Sequence, residues 1–425
     1  MKISLCILLL CFVALPLQAD NIKYLENSHL RVGVDLDRGG VIAYLAKKGG
    51  ENLINVHDMG RFVQASYYSG PIPFGNAHPG WKNWAWNPIG AGDVYGNKAK
   101  VLESTATADT LYIKTVPMQW ALNNVPGECI FETWITLDNN AVKVRHRLNN
   151  NRPDKTHYGA HDQELPAVYT IGKLHRLMTY DGNEPFTNKP VRVIKNAGPP
   201  WASWKATEHW AALVDETGWG VGVLHSDIYS FIGGFYGTAG KGGGKDDATG
   251  YIAPVRKEVL DHNIVYTYNF DLVLGSVNEI REYAVSHHAP TRPDYRFRTD
   301  RQHWIMANCT DAGLPFSGYW HIKLEKNDPQ LIAPELWWSA KEIPQLSIRA
   351  AFHTQQAQAK LFFSVLGKEG FSEEQSVTFS VIPDGRFRTY TVDLSANVHY
   401  RGTITGLRFD PEDSGASGDY IDLLY

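Results

Sequence analysis

Short runs of β-branched and aromatic residues, each closed by Gly, Asn, Asp or Pro, fill almost the whole chain and leave little helical periodicity. "HLRVGVDL", "GVIAYLA", "LYIKTVPMQW", "CIFETWITL", "AVKVRHRL", "HWAALVDE", "GWGVGVLH" and "IVYTYNFDLVL" all lie before residue 290. The turn in "LDNNAV" marks a hairpin between two of them. After "SHHAPTRPDYRFRTDRQ", with Pro290 and Pro293, seven further strand-like runs follow at regular spacing, from "APELWWSA" to "YIDLLY". The pattern predicts an all-β chain: one large antiparallel domain over residues 20–290, then a smaller β-sandwich or jelly roll over 291–425.

The first residues, "MKISLCILLLCFVALPLQAD", read as a secretory signal peptide. Lys2 gives the positive start, Ile3 to Leu15 the apolar stretch, and Leu17-Gln18-Ala19 the cleavage site. Residues 1–19 are therefore expected to leave, with a secreted or periplasmic mature chain. No later apolar run is long enough to span a bilayer. Cys6 and Cys11 go with the leader, so Cys129 and Cys309 remain, and two buried free thiols are expected. A net charge of −4 argues against nucleic acid as a partner.

The run "LRVGVDLDRGGVIAYLAKKGGENLINVHDMGR" resembles the entry to a galactose-mutarotase-like supersandwich, with Gly39-Gly40 in the early hairpin and Gly60-Arg61 at the next strand. The end, "GLRFDPEDSGASGDYIDLLY", is similar to jelly-roll modules of secreted carbohydrate-active enzymes. In size and layout the chain also resembles polysaccharide lyases and oligosaccharide dehydratases of ulvan breakdown. The resemblance implies an antiparallel supersandwich, a sugar substrate and a C-terminal carbohydrate-binding-like module.

Residues 69–97, "SGPIPFGNAHPGWKNWAWNPIGAGDVYGN", concentrate Trp81, Trp84 and Trp86 among prolines and glycines that exclude regular structure. Indole planes on a stiffened loop suit the C–H faces of sugar rings, although they could equally plug the end of a sandwich. His78 lies among them. Trp201 and Trp204 offer a second aromatic wall, and Tyr251 and Arg256 follow the glycine-rich loop that opens "GGFYGTAGKGGGKDDATGYIAPVRKEVLDHN", which reads equally as a lid over a sugar cleft and as a disordered surface loop.

Alternation along "GRFVQASYY" would put Arg61 and Tyr67 on one face and Gln64 and Tyr68 on the other. The polar run "THYGAHDQELPAVYT" would put His157, His161 and Gln163 on one face, and Tyr158, Asp162 and Glu164 on the other. His157 and His161 would then sit about 13 Å apart, too far to share a metal. "AVKVRHRL" places Lys143, Arg145 and Arg147 on one face, a stripe able to receive an anionic glycan or simply to face solvent.

These residues support β-elimination at a uronic acid. Arg61 and Gln64 would neutralise the carboxylate, His161 or His78 would take the proton, and Tyr67 would supply one to the leaving group. Two alternatives stand beside it. Two of Asp58, Asp162, Glu164, Glu258 and Asp261 could form a glycosidase pair; Asp162 and Glu164 lie about 7 Å apart on an extended strand. The aromatics could instead form a glycan-binding platform without catalysis. A sugar epimerase completes the set. No GxSxG, HExxH, dinucleotide or P-loop signature occurs in a fitting context, so no cofactor and no metal is expected. The expected partner is an oligosaccharide or polysaccharide, anionic in character.

Overall fold

Strand alternation builds two large sheets that bury one face each against the other. In Thr110–Val116 every second residue is buried, and in Val265–Ser276 the same rhythm runs through Phe270. The computed structural model describes residues 21–425; the leader expected over residues 1–19 lies outside them. The first sheet has ten strands, in the order Ile22–Glu26, Leu30–Asp35, Val41–Lys47, Val63–Ser66, His161–Ile171, Thr249–Glu258, Ser230–Tyr236 and Ala202–Lys205, with the short strand Pro88–Ile89 paired to Val63–Ser66 and Met118–Gln119 paired to that. The second has nine: Arg192–Ile194, Arg176–Thr179, Trp210–Val214, Trp219–Leu224, Val265–Ser276, Ala141–Asn150, Cys129–Asp138, Thr110–Val116 and Lys100–Ala106. All neighbours are antiparallel. Val32, Leu45, Val168 and Ile252 from one sheet meet Ile135, Val142, Val223 and Leu272 from the other in one apolar core. Each such side chain contributes about 1.5–3 kcal/mol on burial.

The expected hairpin forms: Asp138 pairs with Ala141 across Asn139-Asn140, and Asn139 adopts a positive φ of 51°. A helix, Val277–His287, has no counterpart in the sequence reading. Its capping box joins Ser276 and Glu279, and Ile280 rests on Gly222 so closely that a Cβ there would lie 2.4 Å from it.

Residues from Ile305 onward form a second sandwich of a six-stranded and a five-stranded sheet around Trp320, Phe352, Phe363 and Phe409. Glu335 fastens it to the first. Its carboxylate accepts from the Tyr229 backbone N–H at 2.7 Å and from Lys205 at 2.9 Å, and it also meets the Ser230 hydroxyl. Cys129 and Cys309 are buried free thiols, one in each sandwich. Among the described residues no helix is long and apolar enough to cross a membrane.

Candidate functional site

The outer face of the ten-stranded sheet carries a polar strip where Val63–Ser66, His161–Ile171 and Thr249–Glu258 lie side by side. Glu164 is opposite Ser66 on one neighbour and Val255 on the other. Tyr169 is opposite Tyr251. Glu164 and Tyr169 are an odd number of residues apart, so a regular strand would point them to opposite faces. A bulge between Glu164 and Val168, where Pro166 cannot join the ladder, reverses the phase and puts both on the outer face.

Tyr251 donates its hydroxyl to Glu164 at 2.7 Å. The hydroxyls of Ser66 and Tyr68 also lie against the carboxyl, and are 3.1 Å from each other. Asn87 donates to Ser66 at 3.1 Å and accepts from the Trp84 indole at 2.9 Å, so the network runs up into the aromatic loop. Burial pushes the Glu164 carboxyl above the ordinary glutamate range, against the three hydroxyls that favour its charge. Burial, and then the nearby Glu164 carboxylate, push Tyr68 and Tyr251 well above the usual phenol range, so both stay protonated donors.

Aromatic side chains wall this strip. Trp84 meets Tyr68 edge to face at 6.1 Å, and Trp81 meets Trp84 at 4.6 Å. On the far side Trp201 lies 5.0 Å from Tyr251, and Tyr169 lies 4.7 Å from it. Trp81, Trp84, Trp201, Tyr169 and Glu164 are all half-buried. Asp162 and Lys257 face each other across the strands one step further along the same face, both exposed.

Trp86 is sealed in the core instead, its indole donating to Glu128 and its face beneath Arg152. Trp204 points to the inner face and stacks on Phe231. His78 caps the turn Pro79–Trp81, accepting from the Gly80 N–H, with Tyr95 beside its ring.

Arg61 and Tyr67 do not share a face. Phe62 takes a φ of 73°, and the regular strand begins only at Val63, so alternation cannot be counted back to Arg61. Tyr67 is fully buried between the sheets against Phe131 and His146. Arg61 is committed to Asp58 at 3.2 Å and to the Asp247 carboxylate and carbonyl, both at 2.6 Å. Together with Asn55 and His57 it ties down the glycine-rich stretch read as a lid or a surface loop. Gln64 is used by backbone, donating to Met59 and Arg61 and accepting from Ala91.

Asp162 and Glu164 share a face, as the alternation predicts, with Gln163 on the other. Tyr158 lies before the strand, its hydroxyl on Asp154, its ring under Arg152. His161 opens the strand opposite Glu258. Around that end the structure gathers two carboxylate–imidazole pairs that the sequence reading did not join. Asp261 holds His157 at 2.5 Å, and Glu258 holds His303 at 2.8 Å; both carboxylates are buried and both rings reach solvent. Arg256 faces inward here, bound to Asp227 at 3.0 Å. The elimination candidates Arg61, Gln64, His161, His78 and Tyr67 are thus not brought together, whereas Glu164, Tyr251, Trp84 and Trp201 are. Tyr68 and Lys257 join them. Tyr68 shares the face of Gln64, and Lys257 that of Val255, but only the register of three strands links them to Glu164.

No protein-family model matches the chain, and no curated protein matches its sequence. Solved structures do match. The Slr1438 protein from Synechocystis is 10% identical with a TM-score of 0.40, over 63% of this chain and 100% of that one. A galactose mutarotase-like protein from Lactobacillus casei is 12% identical with a TM-score of 0.37, over 60% and 100%. A putative aldose 1-epimerase from Klebsiella pneumoniae is 10% identical with a TM-score of 0.35, over 61% and 80%. The chain is distantly similar in structure to galactose mutarotase-like proteins over about 60% of its length.

Proposed function

We propose that this chain is an exported carbohydrate-active enzyme that cleaves uronate-bearing oligosaccharides by β-elimination on the aromatic-flanked strip around Glu164. The observation that carries this reading is the placement on one sheet face of a carboxyl with raised proton affinity, two protonated phenols and an exposed ammonium, between tryptophan walls.

Each part has a task. Trp84 and Trp201 offer apolar planes to sugar rings. Lys257 neutralises the substrate carboxylate, which acidifies the adjacent C–H. Glu164, as carboxylate, takes that proton; its raised affinity makes it a stronger base than a solvated glutamate. The C–O bond to the leaving sugar breaks as the C=C bond forms, and Tyr68 gives its proton to the departing oxygen. Glu164 then returns a proton to Tyr68 across their contact, and Tyr251 keeps the carboxyl oriented. This assigns to Glu164, Tyr68 and Lys257 the roles that the sequence suggested for His161, Tyr67 and Arg61.

Asp162 and Glu164 on the same face favour one second reading, hydrolysis by a carboxylate pair. Both stand on one strand, however, and so on one side of any sugar lying across it.

The test is incubation of the secreted protein with uronate-bearing oligosaccharides. Elimination yields a product with the ultraviolet absorbance of an unsaturated uronate. New reducing ends without that absorbance mean hydrolysis. Binding without either product leaves a glycan-binding protein, and the enzyme reading fails.

A further inference from the structure

A second constellation lies on the other sheet. The strand Trp219–Leu224 stops before its neighbour does: its last pair is Leu224 with Asp271, while Val265–Ser276 continues through Phe270 and Asn269 paired only with Ala141–Asn150. The chain turns away at His225. The gap opens into a cavity of about 390 Å³, within the size range of small-molecule sites.

The mouth carries the basic stripe read from "AVKVRHRL". Arg147 is committed to Glu132 and Lys143 to Asp138 at 3.0 Å. Arg145, exposed, has no carboxylate partner among the described residues, yet its guanidinium is held 5.0 Å above Trp134. The carboxylates in the wall are already engaged, Glu208 with Arg281 at 2.7 Å and Asp271 with the Tyr283 hydroxyl at 2.8 Å.

Deeper in, His209 and His225 are 6% and 1% exposed. Among the described residues neither ring nitrogen of His209 has a hydrogen-bond partner, nor does Nε2 of His225. His225 Nδ1 lies 3.1 Å from Asp227. Buried imidazole nitrogens are rarely left unmet, because each loses its hydration without return. Burial, and then His288, push His209 down to about 4, so its ring is neutral and offers one donor and one acceptor. Such a pair suits hydroxyl groups, and the free guanidinium suits a carboxylate.

We propose that this cavity binds a small anionic saccharide, its carboxylate on Arg145 and its hydroxyls on His209 and His225, at a site separate from the strip around Glu164. The proposal does not depend on the elimination chemistry.

Titration calorimetry of the full chain with D-glucuronate tests it. Saturable binding is expected, weakened about tenfold or more in Arg145→Gln, an exposed change that leaves the core intact. The neutral methyl glucoside should bind at least about tenfold more weakly than glucuronate. Trp84→Ala, on the other sheet beside Glu164, should leave glucuronate affinity for this cavity unaltered. The proposal is overturned by absence of binding, by native affinity in Arg145→Gln, or by loss of binding in Trp84→Ala. Inorganic phosphate binding as tightly as glucuronate would reduce the site to a simple anion contact and overturn the saccharide.

Discussion

The phenol of Tyr251 donates to the carboxyl of Glu164 at 2.7 Å, from one strand to the next across the outer face of the ten-stranded sheet. Because Tyr251 is itself buried, that hydrogen bond holds the carboxyl beside the hydroxyls of Ser66 and Tyr68. Glu164→Gln keeps the shape and removes the base. Turnover is expected to fall at least about 100-fold, measured as unsaturated uronate released per unit time.

The same residue makes a stability claim. Folding raises the Glu164 proton affinity, so its contribution is fully present below the unfolded glutamate value, about 4.3, and is lost as pH rises through the folded value. Thermal melts should therefore place Glu164→Gln above the native protein at pH 8 and level with it at pH 4. A variant that melts lower at both values would mean the carboxylate is a net structural support.

Tyr251→Phe removes one of the hydroxyls that favour the carboxylate, so the Glu164 proton affinity should climb further. The acid limb of the rate profile is expected to move to higher pH, with kcat/KM reduced roughly tenfold at neutrality. An unmoved acid limb would assign the titration to another group.

Trp84 offers its plane to the sugar at the edge of the strip, beside Tyr68, and carries no proton of the reaction. Trp84→Ala should raise KM roughly three- to tenfold and leave kcat near native. Equal loss in kcat would place the indole in the reacting centre.

Much of the fold could be read because strand alternation and turn residues are local signals. The hairpin at Asn139-Asn140 and the shared face of Asp162 and Glu164 follow from spacing alone. The misplaced residues mark where a local rule breaks. The positive φ at Phe62 defeats the count from Arg61 to Tyr67, and the bulge at Pro166 brings Tyr169 to the face of Glu164. The helix Val277–His287 was missed because its capping box, Ser276 to Glu279, precedes a face with only Ile280, Arg281 and Ala284 buried. Trp84 and Trp86 are near neighbours in sequence, and only the packing of Arg152 and Glu128 around one of them separates a core residue from a wall residue.

The C-terminal sandwich carries its own titration. Glu412 is 1% exposed, neither carboxyl oxygen has a hydrogen-bond partner among the described residues, and burial, then Asp419, push it up to about 7. Since the folded value lies above the unfolded one, this group's contribution is complete below about pH 4 and disappears as pH passes 7. Glu412→Gln removes the penalty of ionisation, so denaturant melts at pH 8.5 should show a gain on the order of 2 kcal/mol over the native chain, shrinking to nothing at pH 4. A gain that is the same at both pH values would trace to packing and not to charge, and a loss at pH 8.5 would mean that the ionised carboxylate finds a partner in solution.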